Sequence, residues 1–429
     1  MMIGAPKLSP GHTIVRTAAQ LGPMVDAMKT ARSRGVDCES SGLRYANGDH
    51  VIGFSMGFIA SDNRAYAWYV PVAHKTAEVM VPQPAARQAF ADALDGADEI
   101  IGHNLRFDIN MCGFSGYKIP ERVQLHDTLH QAHLINENRS MALESLVDEL
   151  GVSPYGAATE AKVQVDCYLR QRAKDRRMTF KKSDKEAGRA SYMDTYGHAE
   201  VPVALEGEYA CRDIGHTLHL DRAQRDRALG VGMPYERERW YLYHNEMLLV
   251  RALAAMQAAG QRVDAQYLNQ LADDLDEDLA RRSIDLTRAF GTNVRWGNDK
   301  EVREFLYRGQ DPLPVVSRTK KGLPAVDRAA LLQLRTHHPA IADLAEYRAR
   351  HKVRTTYTRS LAWYQDRDGR IHASFLAHGT KTGRLSSAGP NLQNIPVRHK
   401  QMSRRVRQAF LTDPGECRVF GDYSQVELR

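Results

Sequence analysis

Residues 382–396 read TGRLSSAGPNLQNIP and residues 418–429 read RVFGDYSQVELR. In the second stretch a β-rich run leads through Gly421 to an acid, Asp422, which predicts a buried strand with one carboxylate just past its end. Taken alone, RVFGDYS is an ordinary core strand, and most acids in that position merely cap something. The information lies in finding both stretches in order within the last fifty residues.

Working outward, 429 residues are enough for roughly two to four domains with full-sized cores. A hydrophobic content of 43% is that of a globular protein, and the formal charge of +7 favours a polyanionic partner. The same modest excess of basic residues also occurs in proteins that never touch nucleic acid. Cys38, Cys112, Cys167, Cys211 and Cys417 lie far apart with no paired spacing, which argues against a disulfide framework or a thiolate zinc site and fits a reducing cytosol. The first residues, MMIGAPKLSPGHTIV, lack a basic-then-apolar signal, and no apolar run approaches twenty residues. Secretion and membrane spanning are therefore not expected, and a cytoplasmic location is.

From Val36 the chain reads as an α/β domain: strands at 36–39, 51–60, 65–72 and 99–102, and helices at 84–94 and 141–150. Asp37 and Glu39, two apart on the first strand, leave one face of the sheet and repel each other unless a cation lies between them. An isolated D-x-E is also what a solvated edge strand carries. Asn104 and Asp108 in GHNLRFDIN, and Tyr209 and Asp213 in EYACRDIGHTLHL, are each four apart and so share a helical face. Three histidines, His126, His130 and His133, fall at helical spacing; packing roles are favoured over metal ligation because no second ligand motif accompanies them. Residues 169–189, LRQRAKDRRMTFKKSDKEAGR, are strongly basic and fit either a solvated helix or loop or an arm that tracks phosphates. Beyond them, helices are expected at 236–259 with Gly260 as stop, from Asp264 toward Phe290, at 298–308, from Asp327, and at 340–358. The last of these crowds Arg348, Arg350, Lys352 and Arg354 together, with Arg359 just beyond.

The order strand D-x-E, strand-to-helix N-x-x-x-D, helix Y-x-x-x-D resembles the 3′→5′ exonuclease of the DNA polymerase I family (family A), and TGRLSS…PNLQNIP with DYSQVELR resembles the first two polymerase signatures of that family. The resemblance implies an α/β, ribonuclease-H-like exonuclease domain over residues 1–228, a helical thumb over 229–365 and the beginning of an α+β palm over 366–429. It implies two Mg²⁺ ions in the exonuclease site, roughly 3.5–4 Å apart, with Mn²⁺ as a possible substitute. Asp37 would bridge them, Glu39 and Asp213 would hold the one that activates water, Asp108 would support the other, and Tyr209 would orient the attacking water. Cys38 stands where the family more often has threonine.

In the polymerase half the resemblance makes Asp422 a metal-binding catalytic aspartate, with Tyr423 and Glu427 at the nucleotide. Glu427 would be the steric gate against the ribose 2′-OH. Arg384 would read the minor groove, while Asn391, Gln393, Asn394 and Arg398 would line the primer-template path, with Asn104, Arg348, Lys352 and Arg354 as further DNA contacts. The family's R-x-x-x-K-x-x-x-Y helix and H-D-E strand do not occur in these residues. Polymerisation is accordingly expected to need a second chain, from a split, interrupted or truncated gene, and the absence of a 5′-nuclease before Asp37 resembles bacteriophage members. Two alternatives are a ribonuclease-D-type exonuclease, which would not need the polymerase signatures, and a DNA-binding subunit with idle carboxylates.

Overall fold

A computed structural model describes residues 8–175, 197–396 and 400–425. It forms two compact units, Met1–Ala259 with Ala373–Gly389, and Gly260–His372 with Pro390–Arg429.

The first unit is built on a six-stranded sheet: β1 (His12–Ile14), β2 (Ser33–Ser40), β3 (Val51–Ile59), β4 (Ala65–Pro71), β5 (Glu99–Gly102) and β6 (Gln124–Asp127), in the order β1-β4-β3-β2-β5-β6. β3 is antiparallel to both β2 and β4, whereas β1–β4, β2–β5 and β5–β6 are parallel pairs. Parallel neighbours need crossovers, and Gln83–Leu94 and Leu105–Phe114 supply helices for them. Alternation along β2 decides where the chemistry sits. Val36 and Cys38 point into a core with Met24, Met28, Phe54, Phe90 and Leu94, so Gly35, Asp37 and Glu39 face the other way. On that other face lies the long helix Val203–Leu229, through Val203, Ala210, Ile214 and Leu218. The approach is close: a Cβ at Gly57 would stand 2.7 Å from Ile214, so the helix needs a glycine there.

The helix Glu236–Ala259, expected in the thumb, packs instead on this first unit. Val250 joins its main core, the Tyr243 hydroxyl lies 2.5 Å from His126 Nδ1, and Glu246 Oε2 lies 3.1 Å from His130 Nδ1. The hairpin of Ser374–Leu376 with Ser386–Ala388, expected in the palm, belongs here too, with the Thr380 carbonyl 3.2 Å from His133 Nε2. These buried contacts keep the helix with the first unit, and the second begins at Gly260.

The second unit is helical: Ala265–Phe290, Asp299–Arg308, Arg328–Leu334, Ile341–Tyr357 and Arg359–Trp363 enclose Trp296, Leu306, Leu331, Leu334, Ile341 and Leu344. Three expected starts are capped as the sequence suggests. Asp264 accepts from Tyr267 N–H (2.8 Å), Asn298 from Lys300 N–H (2.9 Å) and Asp327 from Ala330 N–H (2.9 Å), each typically contributing about 1 kcal/mol. The strand expected at RVFGDYS does not form. Val419 and Phe420 are 86% and 84% exposed, and no described strand pairs with this segment, so its N–H and C=O groups lack the ladder that would make it a strand. Of the basic stretch, residues up to Asp175 end the helix Glu160–Asp175, and its remainder lies outside the described residues. Among the described residues no helix is long and apolar enough to cross a membrane.

Candidate metal centre

β2 delivers Asp37 and Glu39 to the face covered by Val203–Leu229, and a register shift between Glu39 and Ser40 ends regular pairing beside them. Asp108 reaches the same place from the helix after β5, its Oδ1 accepting from the Cys38 N–H at 3.0 Å. Tyr209 and Asp213 come from the long helix. The four acids lie within electrostatic reach of one another, and the pKa of each is raised. Burial pushes Asp37 up to about 6, with the Cys38 N–H and His198 working the other way. Burial, then Glu206, Asp37, Asp213 and Asp108 raise Glu39 well above the usual carboxylate range. Burial and then Asp37 do the same to Asp108 and to Asp213, where a hydrogen bond from Tyr209 partly opposes the shift. Burial raises the Tyr209 hydroxyl as well, followed by the charge of Asp213.

Such a set is unstable as anions unless positive charge is added, and its donors are all oxygens, the preference of hard divalent cations. An oxygen-only donor set of this kind has the chemistry of a site for hard divalent cations. Asn104, expected as a DNA contact, sits at the start of the Leu105–Phe114 helix in the left-handed region, with φ of 66°.

Two members of the cluster were not foreseen. His198, on the short 3₁₀ turn His198–Glu200, places Nδ1 2.5 Å from Glu206 Oε1 and 3.4 Å from Glu39 Oε2, with its ring 5.6 Å from that of Tyr209. Glu206 is fully buried. A signal existed for it: Glu206, Tyr209 and Asp213 are spaced i, i+3, i+7 and share one helical face.

The remaining expected residues fall elsewhere. Arg348, Lys352, Gln393 and Asn394 line one cavity of about 940 Å³ in the second unit, together with His351 and Tyr357. Asn391 closes a turn, its side chain accepting from the N–H of Gln393 (3.1 Å) and Asn394 (3.2 Å). Arg354 is paired with Asp276 through two hydrogen bonds of 2.6 and 2.8 Å, and Arg348 with Asp299. Arg384, Asp422 and Tyr423 are exposed, while Arg398 and Glu427 lie outside the described residues. His126, His130 and His133 go to separate structural partners, Tyr243, Glu246 and the Thr380 carbonyl.

Comparison with known proteins places these observations. Residues 265–429 match the model of DNA polymerase family A. DNA polymerase I of Chloroflexus aurantiacus is 29% identical over 427 residues, covering 98% of this chain and 41% of that protein. The Pseudomonas aeruginosa DNA polymerase I is 30% identical over 373 residues (85% and 37%), and the thermostable enzyme of Thermus aquaticus 37% over 196 residues (45% and 23%). The chain thus spans about two fifths of the curated relatives that it matches along most of its length. The solved POL domain of Pol1 from M. smegmatis, in complex with DNA primer-template and dNTP, shares its fold at a TM-score of 0.63 and 21% identity, over 94% of this chain and 59% of that one.

Proposed function

We propose, from the match of residues 265–429 to the model of DNA polymerase family A, that the chain serves DNA replication as the proofreading and DNA-holding portion of such an enzyme. In this reading the first unit carries a ribonuclease-H-like 3′→5′ exonuclease acting on single-stranded 3′ ends, the helices of the second form a thumb, and residues 366–429, which are shared between the two units, open the palm. The sheet order, with antiparallel β3 beside a central β2 that leads into parallel β5 and β6, supports the exonuclease assignment. The observation that carries it is the nearness of acids from three separate elements: Asp37 and Glu39 on β2, Asp213 on the long helix, each raising another's pKa, and Asp108, whose Oδ1 accepts from the Cys38 N–H at 3.0 Å.

Asp37, Glu39, Asp108 and Asp213 would hold two Mg²⁺ ions. When bound, such ions supply a nucleophilic water at neutral pH and stabilise charge on the attacking and leaving oxygens. Tyr209 then holds the attacking water by a hydrogen bond, on the side of the cluster shared with Asp213. Water adds to phosphorus as the P–O3′ bond breaks, releasing a 5′-mononucleotide and leaving a shortened 3′-hydroxyl end. Asn104, at the start of the helix that carries Asp108, would contact the strand.

For polymerisation, Asp422, Tyr423 and Glu427 are assigned to the metal and the nucleotide, and Arg384, Asn391 and Arg398 to DNA along with the cavity residues Arg348, Lys352, Gln393 and Asn394. A cytoplasmic site of action, in the host if the source is a bacteriophage, accords with the five free cysteines.

The test is direct. With Mg²⁺, the purified protein is expected to shorten a 5′-labelled single-stranded DNA from its 3′ end, and Asp37→Ala to abolish this. Equal activity in the variant overturns the assignment, and preference for RNA ends would replace it with a ribonuclease-type reading.

A further inference from the structure

Glu206 carries a cost that the four-acid scheme does not explain. It is fully buried, its Oε1 meets His198 Nδ1 at 2.5 Å, and its Oε2 has no hydrogen-bond partner. A buried carboxylate oxygen without a partner is unfavourable unless something positive is meant to meet it. The geometry indicates what. One ligand atom each from Glu39, His198 and Glu206 lie within 4.8 Å of one another. Donors about 2.1 Å from a single ion stand at most about 4.2 Å apart (2 × 2.1), so closing this triad on an ion needs adjustments of only a few tenths of an ångström. Two carboxylates and an imidazole form a mixed oxygen–nitrogen set. Imidazole suits first-row transition ions, whereas Mg²⁺ keeps to oxygen.

We propose that Glu206 and His198 are ligands which, together with Glu39, make one cation position of this centre selective for a first-row transition ion such as Mn²⁺ over Mg²⁺. This rests on reading the cluster as a cation centre, and goes beyond it by adding a fifth acid and a nitrogen donor. His198 is brought in by the 3₁₀ turn, and Glu206 by its position one turn before Tyr209 on the same helical face. The imidazole lies between the two carboxylates, with Nδ1 3.4 Å from Glu39 Oε2 and 2.5 Å from Glu206 Oε1.

Pulsed electron paramagnetic resonance of Mn²⁺ bound to the intact chain tests this, with calorimetric titration of Mn²⁺ and Mg²⁺ alongside. The expected result is a nitrogen modulation on the tightly held Mn²⁺ that changes when histidine is labelled with ¹⁵N and disappears in His198→Gln. In both His198→Gln and the isosteric Glu206→Gln, Mn²⁺ affinity is expected to fall by about tenfold or more while Mg²⁺ affinity changes less. A wild-type spectrum without nitrogen modulation, modulation that survives in His198→Gln, or an unchanged Mn²⁺-to-Mg²⁺ affinity ratio in the variants would overturn the proposal. Asp37→Ala separates the two levels. If it abolishes Mn²⁺ binding while the His198 and Glu206 variants bind as wild type, only this inference fails; if it too leaves binding intact, the cation centre itself is misplaced.

Discussion

Asp127 is absent from the carboxylate cluster yet governs it. Fully buried at the end of β6, it accepts hydrogen bonds from the N–H groups of Asn104 (3.0 Å), Leu105 (2.8 Å) and Leu129 (3.0 Å), and so fixes the start of the helix that carries Asp108. Helix N-termini leave such donors orphaned otherwise. Asp127→Ala is expected to cost about 3 kcal/mol or more, at roughly 1–3 kcal/mol for each buried donor left unpaired. Urea denaturation measures it, and a loss under about 1 kcal/mol would show that the three bonds are not needed. At this scale the sequence was partly legible. D-x-E, N-x-x-x-D and Y-x-x-x-D announce themselves because strand and helix periodicities put each pair on one face. The left-handed backbone of Asn104 and the arrival of His198 depend on chain path, which no local spacing encodes.

At the level of elements, charge complementarity between helices was the part hidden from a linear reading. The basic run on Ile341–Tyr357 looks like a phosphate-binding face, but the acids of Ala265–Phe290 meet it. Asp276 pairs with Arg354, Asp278 with Arg350 at 3.1 Å, and Asp273 with Arg359 at 2.5 Å. Lys352, exposed and lining the 940 Å³ cavity, is the better candidate for phosphate. Lys352→Ala should therefore leave stability within about 0.5 kcal/mol of wild type while reducing the salt dependence of DNA binding by about one charge. Arg354→Ala should instead lower stability, by up to about 1 kcal/mol. Fluorescence titrations against salt, paired with denaturation, distinguish the two; a larger salt effect from Arg354 reverses the assignment.

Strand β5 of the first unit shows the same principle with a pH signature. His126, at 3.4 Å, with Arg225 at 2.9 Å and Ser33 at 2.7 Å, holds the Glu99 carboxyl well below its ordinary value of 4.5, against the effect of burial. A carboxylate depressed by folding stabilises above its unfolded pKa and loses that contribution as pH falls toward the folded one. The stability gap between wild type and Glu99→Gln should accordingly be largest near neutral pH and shrink as pH drops below 4.5. A gap that stays constant through that range would refute the network.

For the molecule as a whole, several helix starts and the positions of β2 to β5 could be read from caps and alternation, whereas β1, β6 and the allocation of elements to units could not. Tyr243 and Glu246 bind the Glu236–Ala259 helix to His126 and His130, residues more than a hundred positions earlier, and such pairings leave no mark in local sequence. The expected strand at RVFGDYS failed for a related reason: β-rich composition states a preference, but a strand exists only where another backbone accepts its hydrogen bonds. The proposed cation centre is the point where all three scales meet, since it draws on β2, on the helix after β5 and on the long helix over the sheet. Anomalous scattering from crystals grown with Mn²⁺ examines it without intermediaries. Two peaks bounded by Asp37, Glu39, Asp108 and Asp213 are predicted; saturating Mn²⁺ that leaves no peak among these four acids would contradict the account.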